Sequence, residues 1–355
     1  MVCAARCPLL WGGRGSGFCR GAALPQLVLP RKKRQVCQAV LDHFDAQYGK
    51  ELGSLWSNAR SVLMNPGCWQ YGVMLNRFAD LPDLRQTLLE LGYSSLLPCS
   101  AVGTGSLQCL VHEGPVRLST QAHNAGCLKD YFLMNAASLL PVLALGVRDG
   151  DKVLDLCSAP GGKAVAVLQS ASPGLLHCNE LDNRRFIWLQ KTLESFVPPT
   201  QADRLKVTNL DGRVIGHSQK GQYDKVLVDA PCSNDRSWLY APNTQQGAVW
   251  LKEREGRLPQ LQMELLSSAL TAVRPGGTVV YSTCTLSHAE NHAVVEAILN
   301  SCPGVEPRSL EEDIAMPLSE HFTFASPITS TGLLVVPDHG RTWGPMFVAQ
   351  LKRTH

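Results

Sequence analysis

Two cysteines are the most reactive groups this chain offers. Cys232 lies in Asp229-Ala230-Pro231-Cys232-Ser233, and Cys284 lies in Ser282-Thr283-Cys284-Thr285. A thiolate is a good nucleophile once local charge or a helix N-terminus lowers its pKa. The chain has 13 cysteines, and most of them read as small buried hydrophobes. These two differ because each ends a predicted strand in a polar setting, with an acid in the first motif. No Cys-x-x-Cys pair and no zinc-type Cys/His spacing occurs, so no metal site is expected. Disulfide frameworks belong to short secreted chains, and the cysteines are read as reduced.

A second motif binds rather than reacts. Val153-Leu154-Asp155-Leu156-Cys157-Ser158-Ala159-Pro160-Gly161-Gly162-Lys163 is an apolar strand that ends in a small-residue loop and opens a helix. Gly161 and Gly162, lacking Cβ atoms, let the backbone turn sharply and approach a ligand closely. The loop is neither Gly-x-Gly-x-x-Gly nor a P-loop, which points to a nucleoside without phosphates and leaves Lys163 to meet a carboxylate. Glu180 ends the second strand, where a carboxylate accepts from both ribose hydroxyls. Asp211, in Asn209-Leu210-Asp211-Gly212-Arg213, follows the third strand and is a candidate acceptor for an adenine amino group. Asp182 reads as a helix cap.

The elements that must position these groups are short apolar strands alternating with longer amphipathic stretches. Strands are predicted at Val153–Cys157, Leu175–Glu180, Leu205–Thr208, Tyr223–Asp229 and Thr278–Cys284, with a strong helix over Leu258–Val273. Gly332–Pro337 and Met346–Leu351 form a predicted hairpin. This is the pattern of a doubly wound parallel α/β sheet that closes with an antiparallel hairpin. In such a sheet ligands sit beyond the carboxyl ends of the strands, so the loop, both acids and both cysteines share one crevice. Upstream, helical spacing at Val36–Tyr48 and Pro82–Leu91 flanks a strand near Val73–Phe78; Leu97–Gly126 reads as irregular, and Ala136–Leu145 as a buried helix.

Composition sets the frame. The chain has 355 residues, 45% hydrophobic and 18% charged, which permits a large core and excludes wholesale disorder. No uninterrupted apolar run approaches the roughly 20 residues of a membrane-spanning helix. Residues 1–41 hold seven bases (Arg6, Arg14, Arg20, Arg31, Lys32, Lys33 and Arg34) and no acid; the remainder has 26 bases against 30 acids, a net −4. An Arg-rich, acid-free N-terminus has the composition of a mitochondrial transit segment, here residues 1–35; the alternative is a basic arm that touches nucleic acid.

Together these motifs resemble the Sun-family RNA cytosine-5 methyltransferases. The resemblance runs from about residue 120 to the end. It covers the glycine loop with Lys163, Asp211-Gly212-Arg213, the Pro-Cys-Ser and Thr-Cys-Thr motifs, and Asn135-Ala136-Ala137-Ser138-Leu139-Leu140-Pro141. Most members carry a glycine pair after Pro-Cys-Ser; this chain has Asn234-Asp235-Arg236-Ser237-Trp238, similar to mitochondrial members. The resemblance implies a Rossmann-like methyltransferase domain at 126–355, preceded by a smaller, mostly helical RNA-recognition region at 36–125. It implies S-adenosylmethionine as cofactor, held by Cys157, Ser158, Ala159, Pro160, Gly161, Gly162, Lys163, Glu180, Asp211 and Asp229. The implied substrate is the wobble cytosine in the anticodon loop of mitochondrial tRNA-methionine, which places the protein in the mitochondrial matrix. Residue types alone leave open which cysteine attacks, because DNA cytosine-5 methyltransferases use one in a Pro-Cys motif. The family assigns addition to Cys284 and release to Cys232; Asp229, beside the cysteine motif, is the candidate acid serving N3. Local bases such as Arg184, Arg185, Arg236 and Lys252 are candidate phosphate contacts. Methylation of another RNA such as rRNA or of another acceptor, and a non-catalytic RNA-binding assembly role, are the competing readings.

Overall fold

The computed structural model describes residues 26–28, 34–79, 82–97, 106–124 and 126–355. Apart from 26–28, 34 and 35, the expected targeting segment lies outside the described residues. The N-terminal part begins with β1 (Leu27–Val28), helices α1 (Gln38–Leu52) and α2 (Ser54–Leu63), strand β2 (Gly72–Leu75) and α3 (Pro82–Glu90). Short strands β3 (Ser94–Ser95), β4 (Cys109–Val111), β5 (Arg117–Leu118) and β6 (Tyr131–Met134) follow. β3, β4, β2 and β6 form a four-stranded antiparallel sheet in that order, and β5 pairs with β1. Helices therefore share this region with a sheet, and the stretch read as irregular contains two strands. Its last strand, β6, lies beyond residue 125, so the chain leaves this sheet only after Met134.

From α4 (Leu140–Leu145) the pattern changes. The order is β7 (Lys152–Asp155), α5 (Gly162–Ser170), β8 (Leu175–Asn179), α6 (Asn183–Phe196), β9 (Leu205–Thr208), α7 (Gly212–Ser218) and β10 (Tyr223–Asp229). Then come α8 (Asp235–Trp238), α9 (Thr244–Glu255), α10 (Arg257–Ala272), β11 (Val273–Thr283), α11 (His292–Ser301), β12 (Val305–Arg308), β13 (Leu333–Val335) and β14 (Met346–Arg353). They build one eight-stranded sheet in the order β12-β14-β11-β10-β7-β8-β9, with β13 on β14. β9, β8, β7, β10 and β11 run parallel; β14 is antiparallel to β11, β12 and β13. This is the expected doubly wound sheet with its antiparallel closing hairpin.

Burial on both faces explains the continuous apolar strands: Val226, Leu227 and Val228 are all fully buried. Local chemistry sets the helix ends. Asp182 accepts from the Arg185 amide to start α6, Asp211 does so from Arg213 for α7, and Asn243 from Gln246 for α9. α4 stops at Gly146, whose φ of 57° suits a residue without a Cβ. Among the described residues no helix is long and apolar enough to cross a membrane.

Candidate functional site

The sheet order reverses between β7 and β10, and a crevice opens beyond the carboxyl ends of strands at such a point. Asp155 ends β7 and Asp229 ends β10. Gly161 has φ 106°, and a Cβ there would lie 3.1 Å from Thr192; a Cβ on Gly162 would lie 3.0 Å from the Phe132 ring. The close backbone approach that the sequence required of these glycines is therefore made to α6 and β6 on the outer side of the loop.

The loop's other residues are tied to the acids. Ser158 Oγ donates to Asp155 Oδ2 at 2.7 Å, and Arg185 Nη2 donates to the Ala159 carbonyl at 2.7 Å. Burial pushes the Asp155 carboxyl up to about 7, with the Asp229 and Glu180 charges adding to the effect. The Cys157 thiol is raised well above its ordinary range by burial, then by Glu180 and Asp155. Glu180 is buried, accepts from the Asp182 amide at 3.0 Å, and lies 3.5 Å from the Arg185 guanidinium. Its Oε2, like Asp155 Oδ1, is buried without a hydrogen-bond partner.

Lys163 meets a carboxylate, as expected, but the carboxylate is the chain's own: Nζ is 2.8 Å from Asp229 Oδ2. Ser282 Oγ donates to the other Asp229 oxygen at 2.8 Å. Burial works against the Lys163 charge, but Asp229, Cys284 and Asp155 outweigh it and raise its pKa. Asp211 is less available than the sequence suggests. Arg213 engages both of its oxygens, at 3.0 and 2.6 Å, and holds its carboxyl below the usual range.

The two cysteines face each other with their Sγ atoms 3.3 Å apart, and both are free thiols. The Cys232 thiol is raised well above its ordinary value, first by its hydrogen bond with Cys284, then by burial and by the charges of Cys284 and Glu290. The Cys284 amide also donates to Cys232 Sγ at 3.3 Å, so the two loops meet at the thiols.

A buried polar network underlies both cysteine loops, and sequence reasoning missed it. Asp235, fully buried, accepts from the Leu286 amide at 2.7 Å, from Thr285 Oγ1 at 2.9 Å and from Tyr48 Oη at 2.9 Å. Glu290 accepts from Ser233 Oγ at 2.6 Å and from the Ser233 amide at 2.9 Å. Arg254 lies between the two acids, at 4.0 Å from Asp235 and 3.5 Å from Glu290, and donates to Tyr48 Oη. Asp235 thus locks the segment after Cys232 onto the segment after Cys284, and Tyr48 ties α1 to both. The only signal in the sequence was the departure at Asn234-Asp235.

Two expectations need correction. Arg236 is half-buried and its guanidinium is already engaged: it donates to the Gly344 and Thr342 carbonyls and lies 4.3 Å over the Trp69 ring. Cys127 is disulfide-bonded, so the cysteines are not all thiols; nothing in its spacing marks it. Arg184 and Lys252 are exposed.

Comparison with known proteins agrees with this architecture. Residues 142–352 match the family described as 16S rRNA methyltransferase RsmB/F. A Danio rerio protein named tRNA (cytosine(34)-C(5))-methyltransferase, mitochondrial, is 57% identical over 99% of this chain and 97% of its own. A Mus musculus protein of the same name is 50% identical over 90% of this chain and 92% of its own. The Mus musculus 5-cytosine rRNA methyltransferase NSUN4 is 36% identical over 88% of each chain. The crystal structure of NSun6 from Pyrococcus horikoshii with SFG shares the fold, with a TM-score of 0.63 at 15% identity, covering 90% of this chain and 98% of that one.

Proposed function

The chain belongs to the RsmB/F family of RNA methyltransferases, the Sun family that its motifs resemble, and from that premise we propose that it methylates carbon 5 of cytosine 34 in a mitochondrial tRNA. The opposed thiols of Cys232 and Cys284 beside the Lys163–Asp229 pair carry this reading, and the relatives' names supply the target nucleotide and the compartment. Tested first should be tRNA-methionine, which the resemblance implies.

The crevice fits S-adenosylmethionine. Two buried carboxylate oxygens without hydrogen-bond partners, on Glu180 and Asp155, suit a ligand rich in hydroxyl and amino donors. Glu180 would accept from the ribose hydroxyls and Asp211 from the adenine amino group, while the Cys157–Lys163 backbone follows the ligand. Bound there, S-adenosylmethionine supplies an electrophilic methyl group on its sulfonium.

Cytosine C5 is too weak a nucleophile to take that methyl group unaided, so covalent catalysis splits the reaction into easier steps. The Cys284 thiolate adds to C6, forming a carbon–sulfur bond and making C5 enamine-like. Asp229, which accepts from Lys163 Nζ at 2.8 Å, is placed to serve N3 as the ring electrons shift, with the Lys163 ammonium supplying the proton. After C5 is methylated, a base removes the C5 proton, the electrons of that bond restore the C5–C6 double bond, and the Cys284 thiolate leaves. Cys232, 3.3 Å from the departing sulfur, assists this release. The target base must leave its stack to reach these groups, at a cost of a few kcal/mol that is least in a single-stranded loop.

The test incubates the full chain with methyl-labelled S-adenosylmethionine and a mitochondrial tRNA-methionine transcript, the same transcript with uridine at position 34, or mitochondrial rRNA. Label on the first and not the second supports the reading. Equal label on both, or label only on rRNA, as the 36% relationship to the rRNA enzyme would suggest, overturns it.

A further inference from the structure

We propose that the groove lined by α6 and by residues 120–123 and 129–133 is a second RNA-binding surface, stacking one unpaired base on Trp188 and holding adjoining phosphates with Lys191, Lys129 and Arg184. The proposal rests on the RNA-methyltransferase reading and concerns how the RNA is held outside the cysteine crevice.

Three observations converge on it. Arg184, Ile187, Trp188 and Lys191 recur at three- and four-residue spacing, so they share one face of α6. Trp188 is 61% exposed and Ile187 49%, and among the described residues no ring is paired with Trp188. Bulky apolar side chains left together in solvent mark a contact surface. Beside them is a cavity of about 530 Å³ whose lining includes Thr120, Lys129, Phe132, Pro160, Trp188 and Lys191, a volume within the usual range for ligand sites. Phe132 and Phe196 meet edge to face at 5.3 Å between centroids in its lining.

Charge identifies the occupant. The lining contains two lysines and a histidine but no aspartate or glutamate, although the chain beyond residue 41 carries a net −4. A cationic groove with an exposed aromatic is the arrangement that holds single-stranded nucleic acid, with phosphates on the bases and a nucleobase on the ring. An apolar peptide would use Trp188 but has no need of the lysines. Position supports the same occupant: Pro160 belongs to the glycine loop, and Phe132 packs against Gly162. The groove therefore adjoins the crevice from which the target base would be drawn, where flipping one base leaves its neighbours unstacked.

The test uses the full chain, a tRNA-methionine transcript and equilibrium binding over a salt series. Trp188→Ala should weaken RNA binding by about 5- to 150-fold, the effect of losing one stacked base, without changing the salt slope; Trp188→Phe should recover most of it. Lys191→Ala should lower the slope of log affinity against log salt by roughly one unit. Both variants should bind S-adenosylmethionine as the parent chain does, because the groove lining includes neither Glu180 nor Asp155. In steady-state methylation the KM for tRNA should rise while kcat holds. Unchanged RNA affinity in Trp188→Ala overturns the proposal. So does a change in oligomeric state without a change in RNA affinity, which would make a second copy of the chain the occupant. Failure of the parent chain to methylate any RNA would instead refute the underlying function.

Discussion

Glu180 offers a separable test of cofactor binding. It is only 4% exposed, its Oε1 already accepts from the Asp182 amide at 3.0 Å, and its Oε2 has no hydrogen-bond partner. That oxygen, ion-paired with Arg185 at 3.5 Å but not hydrogen-bonded, can accept from a ribose hydroxyl, so truncation removes one charge-assisted hydrogen bond. Such a bond contributes about 1.5–3 kcal/mol, which corresponds to about a 10- to 150-fold loss of affinity. Glu180→Ala should show that loss for S-adenosylmethionine by calorimetry. Glu180→Gln keeps the acceptor but not the charge and should fall between the two. Folding should survive: the alanine variant loses an acceptor for one amide, worth about 1 kcal/mol, and a 3.5 Å ion pair to a partly exposed Arg185, but also removes a buried carboxylate oxygen that has no hydrogen-bond partner. A folded Glu180→Ala protein that binds the cofactor as tightly as the parent chain would refute the assignment.

Asp155 predicts a pH dependence. Its folded pKa, about 7, lies above the ordinary 3.8 of an aspartate, so folding favours the protonated form. That stabilisation is complete below about pH 4 and is lost as pH rises through about 7. In urea denaturation the stability of the parent chain should fall relative to Asp155→Asn across this window, and parallel curves would contradict the reasoning. Asp235→Ala removes the buried acceptor of Tyr48, Thr285 and the Leu286 amide and leaves Arg254 with Glu290 as its remaining carboxylate, and should cost roughly 3–5 kcal/mol of stability, against about 1–3 kcal/mol for Tyr48→Phe; equal, small effects in the same assay would dismiss the network. Residues 1–40 fused to a reporter should carry it into mitochondria, and a reporter that stays in the cytosol would count against import.

Much of the site was legible in the sequence because an α/β sheet brings strand ends together. Val153–Asp155 and Tyr223–Asp229 are apolar runs that terminate in acids, and a parallel topology delivers Asp155, Asp229 and Cys284 to one edge. The small N-terminal sheet was harder to read. β3 has two residues and β4 three, too few for an alternating pattern to emerge, and only pairing across the chain makes them strands. α9 escaped because it lacks a continuous apolar stripe: only Gly247 and Arg254 are buried on it. The same Arg254 shows why the network was invisible. Tyr48, Asp235 and Arg254 are ordinary residues in isolation, and their meaning arises from contacts spanning 187 and 206 positions. Asp211 shows the converse, since its place after the third strand was evident but its engagement by Arg213 two residues later was not.

The central claim is that the two cysteines play different parts, and trapping the covalent RNA complex on a denaturing gel tests it directly. Cys284→Ala deletes the nucleophile, so no adduct should form. Cys232→Ala leaves addition and methyl transfer intact but hinders release, so an enzyme–RNA adduct should accumulate when S-adenosylmethionine and tRNA are both present. An adduct with Cys284→Ala and none with Cys232→Ala would move the nucleophile to Cys232 and contradict the account.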